Sequence, residues 1–202
     1  MDQSLKARAK AKPSPVVAGE SPEALPDLRL LITAEEAFPE FERLVIEARD
    51  RLVAGFRIFD PETRLLSARA REIGATWADL LADAMQRGVR LSLVLSDFDP
   101  IAAPELHRTS WRAHRQLTER AKTEGTADRL DIAVHMHPAQ SGWPIKLAVA
   151  PAARRTLRAR ARWLSEQGAA RREAYLRDAP ALQPFFKVAR RDGKVIELQH
   201  RK

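Results

Sequence analysis

Asp97 and Asp99 stand two residues apart where the apolar run Val89–Ser96 (VRLSLVLS) gives way to a proline. One carboxylate of such a pair could attack phosphorus while the other moves protons. Together they could instead offer oxygen ligands to a divalent cation such as Mg²⁺. The simpler reading is that Asp99-Pro100 opens a turn that ends the strand. His107, Trp111 and His114 follow at i, i+4 and i+7, a spacing that puts them on one helix face, with Arg108, Arg112 and Arg115 beside them. Such a face could hold phosphate or a metal. An i, i+7 histidine pair with no third ligand nearby is, however, a weak metal motif, and a polar-aromatic packing face is the favoured reading. His135 and His137, in VHMHP, alternate along an expected strand and so point to one side. They could act as ligands or as acid and base, or they could line a half-buried face with hydrogen-bonded nitrogens. His200-Arg201-Lys202 is an HxK at a basic end, a pattern that arises easily by chance.

The elements that must position these groups read as alternating strands and helices. Leu28–Thr33 (LRLLIT) predicts a short strand. Thr33 with Glu36 forms a capping-box signature, so a helix follows with Phe38, Phe41, Leu44, Val45 and Ala48 on its buried face; Pro39 would move its start a few residues on. Arg51–Phe59 predicts a central strand ending in the turn DPET, and residues 64–71 are ambiguous. Thr76–Arg87 predicts a helix with Trp77, Leu80, Leu81 and Ala84 inward and Gly88 just past its end. Val89–Ser96 is the strand that reaches Asp97, Pro104–Lys122 a long helix stopped by Gly125, and Leu130–Pro138 a further strand. The order β-α-β-α-β-α-β implies an α/β fold, a mostly parallel sheet with helices on both faces. Ligands of such sheets bind at the carboxyl ends of the strands, where Asp97 falls.

Three regions are expected: a flexible leader over residues 1–27, punctuated by Pro13, Pro15, Pro22 and Pro26; an α/β body over 28–138; and a basic helical extension over 139–202. In the extension, a loop and a short apolar run precede a basic helix at Arg154–Gln167. A second helix follows at Ala169–Arg177, and then a turn or hairpin holding Phe185, Phe186, Gly193 and Val195. The net charge of +8 is uneven: residues 1–138 carry 20 Lys and Arg against 22 Asp and Glu, residues 139–202 carry 15 against five. A near-neutral body with a cationic tail points to an anionic partner, phospholipid before nucleic acid, since no reading helix or stacking platform is visible. The alternative is plain solvation of helices by arginine. The chain has no cysteine, so disulfides and thiolate metal sites are excluded. No apolar run approaches the roughly 18–20 residues of a membrane span, and no apolar core follows the N-terminal lysines as in a signal peptide. P-loop, GxGxxG, GxSxG and HExxH patterns are absent, and eight glycines leave little material for a phosphate-cradling loop.

The apolar strand ending in DFDPI resembles the nucleophile motif of haloacid-dehalogenase phosphatases, which implies Mg²⁺-dependent chemistry at Asp97 and Asp99. The chain departs from that pattern in lacking Thr or Val two residues after Asp99 and in placing the motif on its third expected strand. A wider likeness is carried by VAGFRIFDPETRL, by RGVRLSLVLSDFDPIAAPELHRTSWRA and by the MHP after the last strand. Over roughly Leu28–Leu164 the chain resembles the N-terminal half-domain of bacterial phospholipase D-like proteins. The resemblance implies phosphodiester hydrolysis or phosphatidyl transfer on phospholipids, through a phosphohistidine and without metal. It also implies two HxKxxxxD motifs, one per half. Neither occurs in full: His107, His114, His135 and His137 have no Lys two residues on, and His200-Arg201-Lys202 has no following Asp. No catalytic, cofactor-binding or metal-binding residue is therefore assigned, and the chain reads as a catalytically incomplete part of such a protein, bacterial and cytoplasmic or peripheral to a membrane. The third expectation is a non-catalytic module that binds anionic membrane through the tail.

Overall fold

Leucines at alternate positions set the centre of the fold. In β2 (Arg90–Ser96), Leu91, Leu93 and Leu95 are buried while Val94 is exposed. β1 (Arg51–Phe56) and β3 (Leu130–His135) flank it in parallel, in the order β1-β2-β3. The register sets Leu52, Ala54 and Phe56 opposite Leu91, Leu93 and Leu95, and these opposite Leu130, Ile132 and Val134. That apolar face packs on α1 (Ala34–Glu47), α3 (Trp77–Gln86) and α4 (Pro104–Thr123) in one core. The structure, a computed structural model, describes residues 30–136, 142–188 and 195–197.

The second face of the sheet is open among the described residues: Val53 is 65% and Val94 45% exposed. Helices on both faces were expected, and strand order supplies the correction. Successive right-handed crossovers that step along a sheet in one direction leave all their helices on one side. A second correction concerns Leu28–Thr33. Leu30 to Ile32 form no strand, and the parallel sheet has three strands among the described residues. Thr33 nevertheless caps α1 as expected, with the Glu36 amide donating to its hydroxyl and the Thr33 amide to the Glu36 carboxylate. The helix starts at Ala34 and carries Pro39 inside it rather than beginning later. Its inward residues are Glu42 and Val45, while Phe38, Phe41 and Leu44 stay partly exposed, the latter two lining an apolar groove along the edge of β1.

The segment at residues 64–71 resolves into a bridge between Arg64 and Thr76 and the short helix α2 (Ala68–Ile73), with Ser67 as its cap. α3 buries Trp77, Leu80, Leu81 and Ala84 as the spacing required, and Gly88 ends the turn after it at φ 101°, a left-handed conformation that favours glycine. At the start of α3, Asp79 accepts from the amides of Ala75 and Thr76 and from the Thr76 hydroxyl, and pairs with Arg120 of α4 at 2.8 Å. Burial works to raise the Asp79 pKa, but the bonds from Arg120, Thr76 and Ala75 together outweigh it and hold the carboxyl at about 2. An unfolded aspartate titrates near ~3.9. Asp79 therefore stabilises the fold fully above that value, and the contribution is lost as pH falls through about 2. With 29% of the side chain exposed, solvent screening limits the effect to about 1–2 kcal/mol. Urea midpoints measured from about pH 5 to pH 2 should fall less steeply in Asp79→Ala than in the parent chain.

The C-terminal region has a small core of its own. α5 (Trp143–Glu166) is one continuous helix, so the expected short apolar run and the separate basic helix merge. Pro144 sits at its first turn, where its missing N–H costs nothing. α6 (Ala169–Arg177) matches expectation, and a 3₁₀ segment leads into β4 (Phe186–Val188), which pairs antiparallel with β5 (Val195–Glu197) as the expected hairpin requires. Leu157, Ala161, Leu164, Tyr175, Ala179, Leu182 and Phe186 are buried together, with Ile101 packed against them. The leader at 1–27 and Gly193 lie outside the described residues.

Candidate functional site

The carboxyl end of β2 is built around Asp97. Its amide donates to the His135 carbonyl at 2.8 Å, joining the ends of β2 and β3. The chain then turns at Asp99, whose Oδ1 accepts from the amides of Ile101 (2.8 Å) and Ala102 (2.7 Å), so Asp99 makes the turn that the Asp-Pro pair predicted. The turn aims the first turns of α4 back at β2. There the Ser110 hydroxyl donates to the Ser96 carbonyl at 2.7 Å. His107 Nδ1 lies 2.6 Å from Asp97 Oδ1 and Trp111 Nε1 donates to Oδ2 at 3.2 Å, while the Phe98 amide also donates to Oδ1. A carboxylate only accepts, so His107 carries its proton on Nδ1. The imidazole is 0% exposed, and its Nε2 has no partner among the described residues.

The expected face of His107, Trp111 and His114 is real: the ring centroids stand 6.3 and 5.6 Å apart. Its work is packing and the fastening of Asp97. His114 is partly buried, which lowers its pKa, while a bond to the Ile132 backbone opposes the shift. It therefore favours the neutral imidazole. His135 ends β3 opposite Ser96 and is exposed. His137 and His200 lie outside the described residues, so the expected pair on one strand face is not completed within them. No group of three or more His, Asp or Glu side chains able to hold a metal occurs among the described residues.

Arg108, Arg112 and Arg115 face the C-terminal region. Asp178, only 6% exposed, accepts from Arg112 Nε at 3.3 Å and from Arg115 Nε and Nη2 at 3.0 and 2.8 Å. The Arg108 guanidinium lies 4.0 Å from the centre of the buried Tyr175 ring and pairs with Glu105 at 2.9 Å. These contacts clamp α6 to α4. Sequence reading missed Asp178 and Tyr175. The available signal was one of few carboxylates set among many arginines in residues 139–202.

A different surface lies on α5. Arg154, Arg155, Arg158 and Arg162 line an open groove with Pro151 and Ala159. Ahead of them Trp143, Ile145, Leu147 and Val149 are 54–73% exposed. No described helix is long and apolar enough to cross a membrane. No family model and no curated protein matches the chain.

Proposed function

We propose that this chain is the framework part of a phospholipase D-like half-domain, with a parent activity of phosphodiester hydrolysis or phosphatidyl transfer, and that the phosphorus-attacking histidine belongs to residues beyond those described. The reading draws its chemistry from the resemblance at Gly55–Leu65 and Gly88–Arg115. The observation that carries it is the carboxyl end of β2, where the Asp97 carboxylate and the His107 imidazole are spent on one another rather than turned outward.

The haloacid-dehalogenase alternative finds less support. A nucleophile at Asp97 would first have to shed His107, Trp111 and the Phe98 amide, and the Asp99 Oδ1 already holds two amides. The coding sequence that follows codon 202 tests the leading reading. An Asp completing HxKxxxxD on His200, or a full motif further on in the same frame, is the expected result. A frame that closes without either overturns it.

A further inference from the structure

We propose that the first two turns of α5, with the arginine row behind them, seat this protein on an anionic phospholipid surface. Every residue from Gly142 to Val149 is exposed, and the segment WPIKLAV is apolar on all sides except at Lys146. Trp143 is 73% exposed, Ile145 and Leu147 58% each, and Val149 54%. A helix apolar all round is one that is surrounded. A groove on a protein partner covers one face of a helix, whereas the outer layer of a bilayer envelops a short tip entirely. Seven residues advance about 10 Å along the axis, well within the roughly 20 Å of one leaflet. Lys146 can extend its ammonium back to the headgroups from within such a tip, and a Trp at that level is in its preferred place.

Charge decides among the possible occupants. At three- and four-residue spacing, Trp143, Leu147, Pro151, Arg154, Arg158 and Arg162 run along one side of α5, apolar in front and cationic behind. Arg154, Arg155 and Arg162 make no ion pair with a carboxylate among the described residues, so their guanidiniums can take phosphate oxygens in pairs. Pro151, which denies the Leu147 carbonyl its usual partner, marks the junction between the apolar tip and the arginines. An anionic bilayer offers acyl chain and phosphate in that order; a second copy of this cationic helix would meet its own charge. Vesicle binding and phosphodiester turnover are separate readouts, so this proposal and the functional reading can fail separately.

The test is co-sedimentation of the full chain with vesicles of phosphatidylcholine alone and of equimolar phosphatidylcholine and phosphatidylglycerol. Binding should require the anionic lipid and weaken steeply with salt. Trp143→Ser with Leu147→Ser should weaken it at least about tenfold, since two exposed apolar anchors are removed. Arg154→Gln with Arg155→Gln should cost roughly fivefold per arginine. Brominated lipid should quench tryptophan emission in the parent chain, and Trp143→Phe, which leaves the fold alone, should remove that quenching. Equal binding to neutral vesicles, absence of binding, binding unchanged by the tip substitutions, or self-association lost with those substitutions in place of vesicle binding would each overturn the proposal.

Discussion

Asp97→Ala is expected to lower the unfolding free energy by about 3–5 kcal/mol, because three donors lose their acceptor at once. The His107 imidazole, fully buried, is left with neither nitrogen satisfied, and the Phe98 amide and the Trp111 indole are stranded beside it. Each buried unsatisfied group costs ~1–3 kcal/mol, and the partly exposed indole recovers some of its share from water. Asp97→Asn keeps one acceptor but turns an amide N–H₂ toward another donor, and should cost about 1–2 kcal/mol. The sign matters as much as the size. A catalytic carboxylate held in wait for a substrate is commonly replaced by its amide at no loss, or with a gain, of stability. Urea unfolding of the two variants separates a structural Asp97 from a poised one.

The second large effect belongs to Glu42. It is 0% exposed within α1, and its two oxygens accept from the amides of Leu66 and Ser67, both at 2.7 Å. The carboxylate thus ties α1 to the segment that begins α2. Glu42→Ala should cost about 2–4 kcal/mol from the two orphaned amides and the space left behind. Amide exchange at Leu66 and Ser67 should rise more than exchange at the centre of β2. Glu42→Gln, which keeps one acceptor and the volume, should retain more than half of the lost stability. Equal exchange at all of these positions in Glu42→Ala would show that the carboxylate has no such local role.

Much of the order of elements was legible because periodicity and caps agree. Thr33, Gly88 and the Trp77–Ala84 face all act where the sequence puts them. The open sheet face was also written in the chain. Leu91, Leu93 and Leu95 alternate with Ser92, Val94 and Ser96, the period-two signature of a strand with one wet side, whereas a strand covered on both faces is apolar throughout. The expectation of two helical layers followed the general habit of α/β sheets and overlooked that alternation. Leu30 to Ile32 misled in the opposite way: an apolar run too short to show periodicity, it leaves Leu30 81% and Ile32 80% exposed. The short apolar run ahead of Arg154 was read apart from the basic helix, whereas α5 carries it in one helix with Pro144 in its first turn and Pro151 inside. At the candidate site, spacing put His107 and Trp111 on one face but could not say that the face turns toward Asp97. That depends on the tight turn at Asp99, which fixes the direction in which α4 leaves the strand. Asp178 was hidden for a similar reason, since its arginine partners lie more than 60 residues earlier.

The central claim is that the carboxyl end of β2 is framework and not a reacting centre. It is tested most directly by turnover measured alongside thermal unfolding, for the purified parent chain and for Asp97→Asn. The substrates are phosphatidylglycerol vesicles, scored for headgroup release, and a phosphate monoester with Mg²⁺. The expected result is no turnover of either substrate by either protein, with a lower melting temperature in the variant. Turnover by the parent chain that disappears in Asp97→Asn while the melting temperature holds would contradict it.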